Sequence, residues 1–199
     1  EYLILVIVRN ERNEEIAQMI AREVGKTIRE SREEMEEFTA DHFRRASEDV
    51  LRHAGKVLPS TQERSNSKRI LIVQEPVGIV AAVSPWNFPV NLTMVPLSYI
   101  FAAGNRAMVK MSENSRHLAR LLIDKMPAYF PPEKLQFFDE TGGVGIEFSK
   151  LKFDHLLFTG SGATGRSVMA AAAQNLCPVT LELGGKAPAI VCDDFPLRV

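Results

Sequence analysis

From residue 69 onward, short apolar runs alternate with segments whose apolar residues recur at helical spacing. This alternation constrains the fold more than any other feature of the chain. The apolar runs are predicted strands, at 70–73, 77–83, 107–110, 135–138, 155–159, 179–183 and 189–192. The predicted helices between them lie at 91–103, 115–126, 143–150 and 163–174. Strands that alternate with helices of about 10–15 residues indicate βαβ units, whose strands run parallel in one sheet. The predicted fold class is therefore α/β, with a doubly wound parallel sheet in a domain at 69–199.

Residues 1–68 predict an N-terminal helical segment followed by a linker. The apolar residues near its start recur at helical spacing: Ile16, Ala17, Ile20, Ala21 and Val24. Gly25 follows them as a helix stop, and Ser31 with Glu34 matches a capping box that begins a second helix. The polar stretch at 60–68 is rich in turn formers and is predicted to be a loop.

The composition is that of an ordinary globular protein, with 45% hydrophobic and 25% charged residues. A net charge of −1 gives no electrostatic basis for binding nucleic acid or an acidic membrane surface. The apolar run at 2–8 is too short to span a membrane and lacks the flanks of a signal peptide. The four histidines show no metal-ligand spacing, and two cysteines favour a reducing compartment. We therefore expect a cytoplasmic protein without a metal site.

A glycine-rich loop joins the predicted strand at 155–159 to the helix that follows it. Gly160, Gly162 and Gly165 have the G-x-G-x-x-G spacing, and they lie between a strand and a helix as a dinucleotide-binding loop requires. Glycines allow the backbone to approach a pyrophosphate, and the first amides of the helix attract its charge. This context predicts a Rossmann-like nucleotide site. About 20 residues further on, where such folds place an acidic ribose ligand, lies Glu182. The spacing alone leaves Glu182 with two possible roles, ribose ligand or catalytic base.

Two other nucleotide-binding schemes do not match. Gly25-Lys26-Thr27 has Ile20 where a P-loop needs its first glycine. No Tyr-x-x-x-Lys pair follows the glycine loop, which disfavours a tyrosine-based carbonyl reductase.

Four segments, taken together and in this order, resemble the NAD(P)-dependent aldehyde dehydrogenase superfamily. They are EPVGIVAAVSPWNFP (75–89), AAGNRAMVKMSE (102–113), FDHLLFTGSGATG (153–165) and PVTLELGGKAP (178–188). The compact span between KMSE and FTGS is most similar to the class 3 and coniferyl aldehyde dehydrogenase branch. The resemblance implies oxidation of an aldehyde to a carboxylic acid with NAD or NADP, and its branch implies an aromatic aldehyde such as coniferaldehyde. It also implies a homo-oligomer for the full-length protein.

The resemblance assigns a role to each predicted site residue. Glu182 is the implied general base, which activates the water that hydrolyses an acyl-enzyme. Asn87 is the implied oxyanion donor. Lys110 and Glu113 are the implied ligands of the adenosine ribose. The remaining implied cofactor contacts are Trp86, Gly160, Ser161, Gly162, Ala163, Thr164, Gly165 and Leu183.

The family's nucleophile is a cysteine well downstream of the glutamate box, and neither cysteine of this sequence matches it. Cys177 precedes Glu182, and Cys192 follows it too closely, within a run predicted to be a buried strand. We therefore expect the 199 residues to represent the cofactor-binding part of the enzyme and not to oxidise aldehydes alone.

The match has two departures, and two other functions stay open. Met111 stands where the family usually has proline, and the segment at 139–148 is less acidic than the family pattern. One alternative is a nucleotide-binding fragment without chemistry. The other is an ordinary Rossmann dehydrogenase that uses Glu182 as its ribose ligand.

Overall fold

A computed structural model describes residues 13–53, 58–59, 71–72, 75–193 and 195. The helices are α1 (Asn13–Val24), α2 (Ile28–Glu33), α3 (Asp41–His53), α4 (Asn91–Ala102), α5 (Arg116–Lys125), α6 (Val144–Ser149) and α7 (Gly162–Ala173). The strands are β1 (Leu58–Pro59), β2 (Leu71–Ile72), β3 (Ile79–Val83), β4 (Arg106–Lys110), β5 (Leu135–Phe138), β6 (His155–Gly160) and β7 (Val179–Leu183). The predicted α/β class is confirmed.

The central sheet has the order β5-β4-β3-β6-β7, and all of its strands are parallel. The chain therefore moves outward from β3 to β4 and β5, then returns to the other side of β3 for β6 and β7. This reversal makes the boundary between β3 and β6 a topological switch point, where α/β sheets bind ligands at the carboxyl ends of their strands. A separate antiparallel pair is formed by β1 and β2.

The two faces of the sheet have separate cores. On one face, Val80 and Ala82 of β3 belong to a large cluster that includes buried residues of α1, α4 and α5. On the other face, Ala81 of β3 belongs to a smaller cluster with Phe158 and the buried residues of α6 and α7. Because alternate side chains of a strand point to opposite faces, β3 is buried on both sides.

The N-terminal helices pack on the side of the larger core. Helix α1 ends at Val24, and Gly25 follows it with a φ of +83°, which suits the glycine that the sequence predicts as a stop. The predicted capping box at Ser31 is wrong. Thr27 caps α2 instead, because it is the extended residue before the helix and forms the reciprocal hydrogen bonds with Glu30. Ser31 lies buried inside α2, and a π-helical turn (Glu34–Ala40) joins α2 to α3.

The strand predicted at 189–192 is also wrong, since residues 184–192 have no regular structure. Ile190 is 90% exposed and Cys192 is exposed. No strand among the described residues pairs with this segment, and an apolar run needs such a partner to become a strand. The apolar run at 2–8 and the predicted loop at 60–68 lie outside the described residues.

Candidate functional site

The sheet topology gathers the predicted site residues at one edge. Lys110 is the last residue of β4, Gly160 ends β6, and Leu183 ends β7. The segment that carries Asn87 begins directly after β3. Because the strands are parallel, all these carboxyl ends meet at the same edge of the sheet.

The glycine loop is shaped by close packing. A Cβ atom on Gly160 would lie 2.7 Å from Cζ of Phe158, and one on Gly165 would lie 2.9 Å from Cδ2 of Leu183. Both positions therefore favour glycine, whereas Gly162 has open space around it. Glycine is therefore needed at 160 and 165 because the loop packs closely against side chains of β6 and β7.

The amino end of α7 is capped and faces outward. The hydroxyl of Ser161 accepts a hydrogen bond from the amide of Thr164 at 3.2 Å. The amides of Gly162 and Ala163 begin the helix, where backbone N–H groups have no intrahelical acceptor. Ser161, Ala163 and Thr164 are exposed. This arrangement fits a pyrophosphate, because the capped turn directs N–H groups and the helix dipole toward solvent.

Lys110 is buried at the end of β4 and already has a partner. Its Nζ lies 2.6 Å from Oε2 of Glu140, two residues beyond β5. Glu140 also accepts hydrogen bonds from the amides of Gly143 and Gly145, each at 2.9 Å. Burial raises the pKa of Glu140, but its hydrogen bonds with Lys110 and the two amides outweigh burial and hold that pKa below its usual value.

Glu113 lies in the short 3₁₀ turn (Glu113–Ser115) that follows β4, and it is exposed. Ser112 caps this turn, and its hydroxyl donates to Glu113 at 3.4 Å. Met111, which stands in the place of the expected proline, is fully buried, and its amide donates to the carbonyl of Phe138 at 2.8 Å. A proline cannot make that bond, so Met111 extends the pairing between β4 and β5 by one residue.

Glu182 lies on β7, opposite Thr159 of β6 and next to the end of the glycine loop. Its side chain is exposed, and strand alternation directs it to the face opposite Leu183, which packs against Gly165. Glu182 thus lies one residue before the end of β7, at the carboxyl edge of the sheet where ligands of α/β folds bind.

Asn87 and Trp86 are exposed in the turn after β3, and Trp86 is 49% accessible. No hydrogen bond joins the Asn87 side chain to another part of the described structure. Its amide group is therefore available to donate to a ligand.

Two carboxylates that contact the candidate site or the segment beside it, Glu140 and Glu34, are not predicted from the sequence. Glu140 had a usable signal, because it follows a predicted strand whose carboxyl end must lie at the site edge. Glu34, which accepts hydrogen bonds from the amides of Val90 and Asn91, had none, because nothing in one sequence pairs residues 56 positions apart.

The cysteines differ from the prediction in one respect. Cys177 is buried, and it precedes β7, so it lies at the opposite edge of the sheet from the candidate site. Burial and then the charge of Asp154 raise the pKa of its thiol, which makes Cys177 a poor nucleophile. Cys192, predicted to be buried, is the exposed cysteine.

The described residues contain no group of three or more metal-binding side chains. Within the same residues, no helix is both long and apolar enough to cross a membrane.

The family model described as the aldehyde dehydrogenase family matches residues 5–198. The probable coniferyl aldehyde dehydrogenase of Pseudomonas aeruginosa is 50% identical over 127 residues, which are 64% of this chain and 27% of that protein. The mouse "aldehyde dehydrogenase, dimeric NADP-preferring" is 46% identical over 132 residues, which are 65% of this chain and 29% of that protein.

Among solved structures, the substrate-bound state of Staphylococcus aureus AldH superimposes with a TM-score of 0.84 and 28% identity. The superposition covers 92% of this chain and 40% of that one. The chain thus spans less than a third of the length of these two curated relatives.

Proposed function

Because the chain belongs to the aldehyde dehydrogenase family, we propose that it forms the cofactor-binding part of an enzyme that oxidises an aldehyde to a carboxylic acid with NAD(P)⁺ and water. The observation that carries this proposal is the convergence of the four matching segments on the carboxyl edge of one parallel sheet. The relatives named for coniferyl aldehyde favour an aromatic aldehyde as the substrate.

The residues at this edge fit a dinucleotide. The capped amino end of α7 suits the pyrophosphate, and the space around Gly162 is open there. Lys110 and Glu113, at the end of β4, supply an ammonium and a carboxylate that can hold vicinal ribose hydroxyls. A bound NAD(P)⁺ would supply the oxidant.

The catalytic roles of this chain's residues are an oxyanion donor and a base. The Asn87 amide would stabilise the negative oxygen of a tetrahedral thiohemiacetal, a contribution of about 3 kcal/mol for one such donor. Glu182 would take a proton from the water that attacks the acyl carbon. The nucleophilic cysteine of this scheme is neither Cys177, which lies at the wrong edge, nor Cys192.

The oligomer and the compartment are part of the proposal. A mouse relative described as dimeric supports a homo-oligomer, which light scattering on the purified protein would test. Two free cysteines, at 177 and 192, are compatible with the reducing cytoplasm.

The decisive experiment compares Glu182→Gln with Glu113→Gln in the active enzyme. We expect Glu182→Gln to bind NAD⁺ almost as the parent does and to form NADH once per site, while steady-state turnover falls about 10²-fold or more. Glu113→Gln should instead weaken NAD⁺ binding. Calorimetry and rapid mixing measure both.

The alternatives predict different results. In an ordinary Rossmann dehydrogenase, Glu182→Gln weakens cofactor binding strongly and Glu113→Gln does not. In a nucleotide-binding fragment, the parent binds NAD⁺ but shows no aldehyde-dependent NADH formation in any form of the protein.

A further inference from the structure

The turn between α1 and α2 holds Lys26 in a fixed place. Gly25, with a positive φ, ends α1, and its amide donates to the carbonyl of Ala21 at 3.1 Å. Thr27 begins α2 through its reciprocal hydrogen bonds with Glu30. Lys26 therefore lies between two capped helix ends, and its side chain is only 15% exposed.

The partner of Lys26 is the carboxylate of Glu34, which is completely buried. Oε2 of Glu34 lies 2.8 Å from Nζ of Lys26. Oε1 accepts the backbone N–H groups of Val90 and Asn91 at 2.9 and 3.0 Å. These amides begin α4, and a carboxylate at a helix amino end is stabilised by the helix dipole.

Lys26 makes a second contact with the same segment. Its Nζ lies 3.2 Å from the centroid of the Phe88 ring, which is a cation–π geometry. Phe88 directly follows Asn87, so the Lys26–Glu34 pair contacts the residues on the carboxyl side of Asn87 at two points.

The amino side of the segment is held separately. The amide of Ser84 donates to the carbonyl of Lys110 at 3.0 Å, and Thr93 donates a 2.7 Å hydrogen bond to the Ser84 hydroxyl. Residues 84–90 are therefore anchored at both ends while Trp86 and Asn87 stay exposed.

We propose that Lys26 and Glu34 are positioning residues that set the place of residues 86–90, and through them the Asn87 amide, at the carboxyl end of β3. The structural part of this inference stands on the contacts above, and its catalytic consequence rests on the proposed role of Asn87. A buried ion pair thus links the N-terminal helices to the segment that carries Asn87.

Amide hydrogen exchange of the ¹⁵N-labelled chain tests the structural part. Lys26→Met keeps the apolar stem but removes the charge, and Glu34→Gln keeps an acceptor but removes the ion pair. We expect each to accelerate exchange of the Val90 and Asn91 amides about tenfold, as for loss of a charged hydrogen-bond partner. Lys26→Arg keeps the charge and can stack on Phe88, so it should restore most of the protection.

Glu33→Gln is the matched control, because it removes the neighbouring carboxylate from an exposed pair with Arg29. Its Val90 and Asn91 amides should exchange at the parent rate. Unchanged exchange in Lys26→Met and Glu34→Gln would overturn the proposal. So would an equal acceleration in β4 and β6, which would indicate global destabilisation and not a local effect.

Kinetics of the active enzyme then test the catalytic part. Lys26→Met should lower kcat and kcat/KM by the same factor, about tenfold, with the NAD⁺ dissociation constant unchanged. If the amides lose protection but kcat does not change, the positioning of the segment is upheld and the proposed oxyanion role of Asn87 fails.

Discussion

The two ends of the candidate site differ in how firmly the chain holds them. Lys110 closes β4, which has a strand on each side, and its side chain is buried in an ion pair with Glu140. Glu182 lies on β7, the last strand in the described sheet, and its side chain is exposed. Internal contacts therefore orient Lys110, the proposed ribose ligand. Glu182, the proposed base, lies where few neighbours restrict its side chain.

Core truncation on neighbouring strands should show the largest difference. Leu156 of β6 is fully buried, and Leu183 of β7 is 45% exposed. We expect Leu156→Ala to lower the free energy of unfolding by about 2–5 kcal/mol. Leu183→Ala should cost only about 1 kcal/mol, because nearly half of its surface is already in water. Urea unfolding of the two variants measures this contrast, and equal losses would contradict it.

The second contrast concerns the two charged residues themselves. Lys110→Met leaves the Glu140 carboxylate with its two amide donors but without its cation. We expect a loss of about 2–3 kcal/mol in the free energy of unfolding, below the full range for a broken buried pair. Glu182→Gln should change it by less than about 0.5 kcal/mol, as for an exposed site. Thermal unfolding at pH 7 compares them, and a large effect of Glu182→Gln would show that β7 is more constrained than its exposure indicates.

Cofactor preference should respond to Glu140. This carboxylate neutralises the positive charge of Lys110. Its removal therefore leaves the Lys110 ammonium available to the 2′-phosphate of NADP⁺. We expect Glu140→Gln to shift the ratio of NADP⁺ to NAD⁺ affinity toward NADP⁺ about tenfold, equivalent to ~1.4 kcal/mol. Calorimetric titration with both cofactors measures the ratio.

The control for this shift is Glu147→Gln, which breaks the exposed pair with Lys150. Its affinity ratio should stay at the parent value. If Glu140→Gln binds both cofactors with an unchanged ratio, Lys110 does not reach the 2′ position.

The pH dependence of stability should give the smallest effect. The folded-state pKa of Glu140 lies below its unfolded value of about 4.5, so the carboxylate stabilises the fold above that pH. This contribution is lost as the pH falls through the folded-state pKa. Between pH 7 and pH 3, the free energy of unfolding should therefore fall less for Glu140→Gln than for the parent. Urea unfolding at several pH values measures this difference. If the free energy of unfolding falls equally with pH in both proteins, Glu140 does not contribute to the pH dependence of stability.

Much of the fold could be predicted because its signals are local. The strands at 135–138 and 179–183 have the predicted bounds, and the other strands of the central sheet differ by one or two residues. Gly25 is the predicted helix stop after α1, and it has a positive φ. Such signals depend only on residues a few positions apart in the sequence.

The two wrong predictions, the capping box at Ser31 and the strand at 189–192, concern positions where a local pattern alone does not decide the structure. Ser31 and Thr27 both precede suitable acidic residues, and only the backbone geometry at Thr27 makes it the cap. The run at 189–192 has strand-forming residues, but pairing decides whether such a run becomes a strand, and no described strand lies beside it.

The α/β class, the glycine loop between β6 and α7, and the four matching segments can all be predicted from the sequence alone. The pairing of Glu140 with Lys110 and the contact of Glu34 with the start of α4 follow only from the folded arrangement. They depend on the order of the strands and on helix packing, which local sequence signals do not specify. Hydrogen bonding between β4 and β5, and packing of the N-terminal helices beside α4, bring together side chains that lie 30 and 56 positions apart.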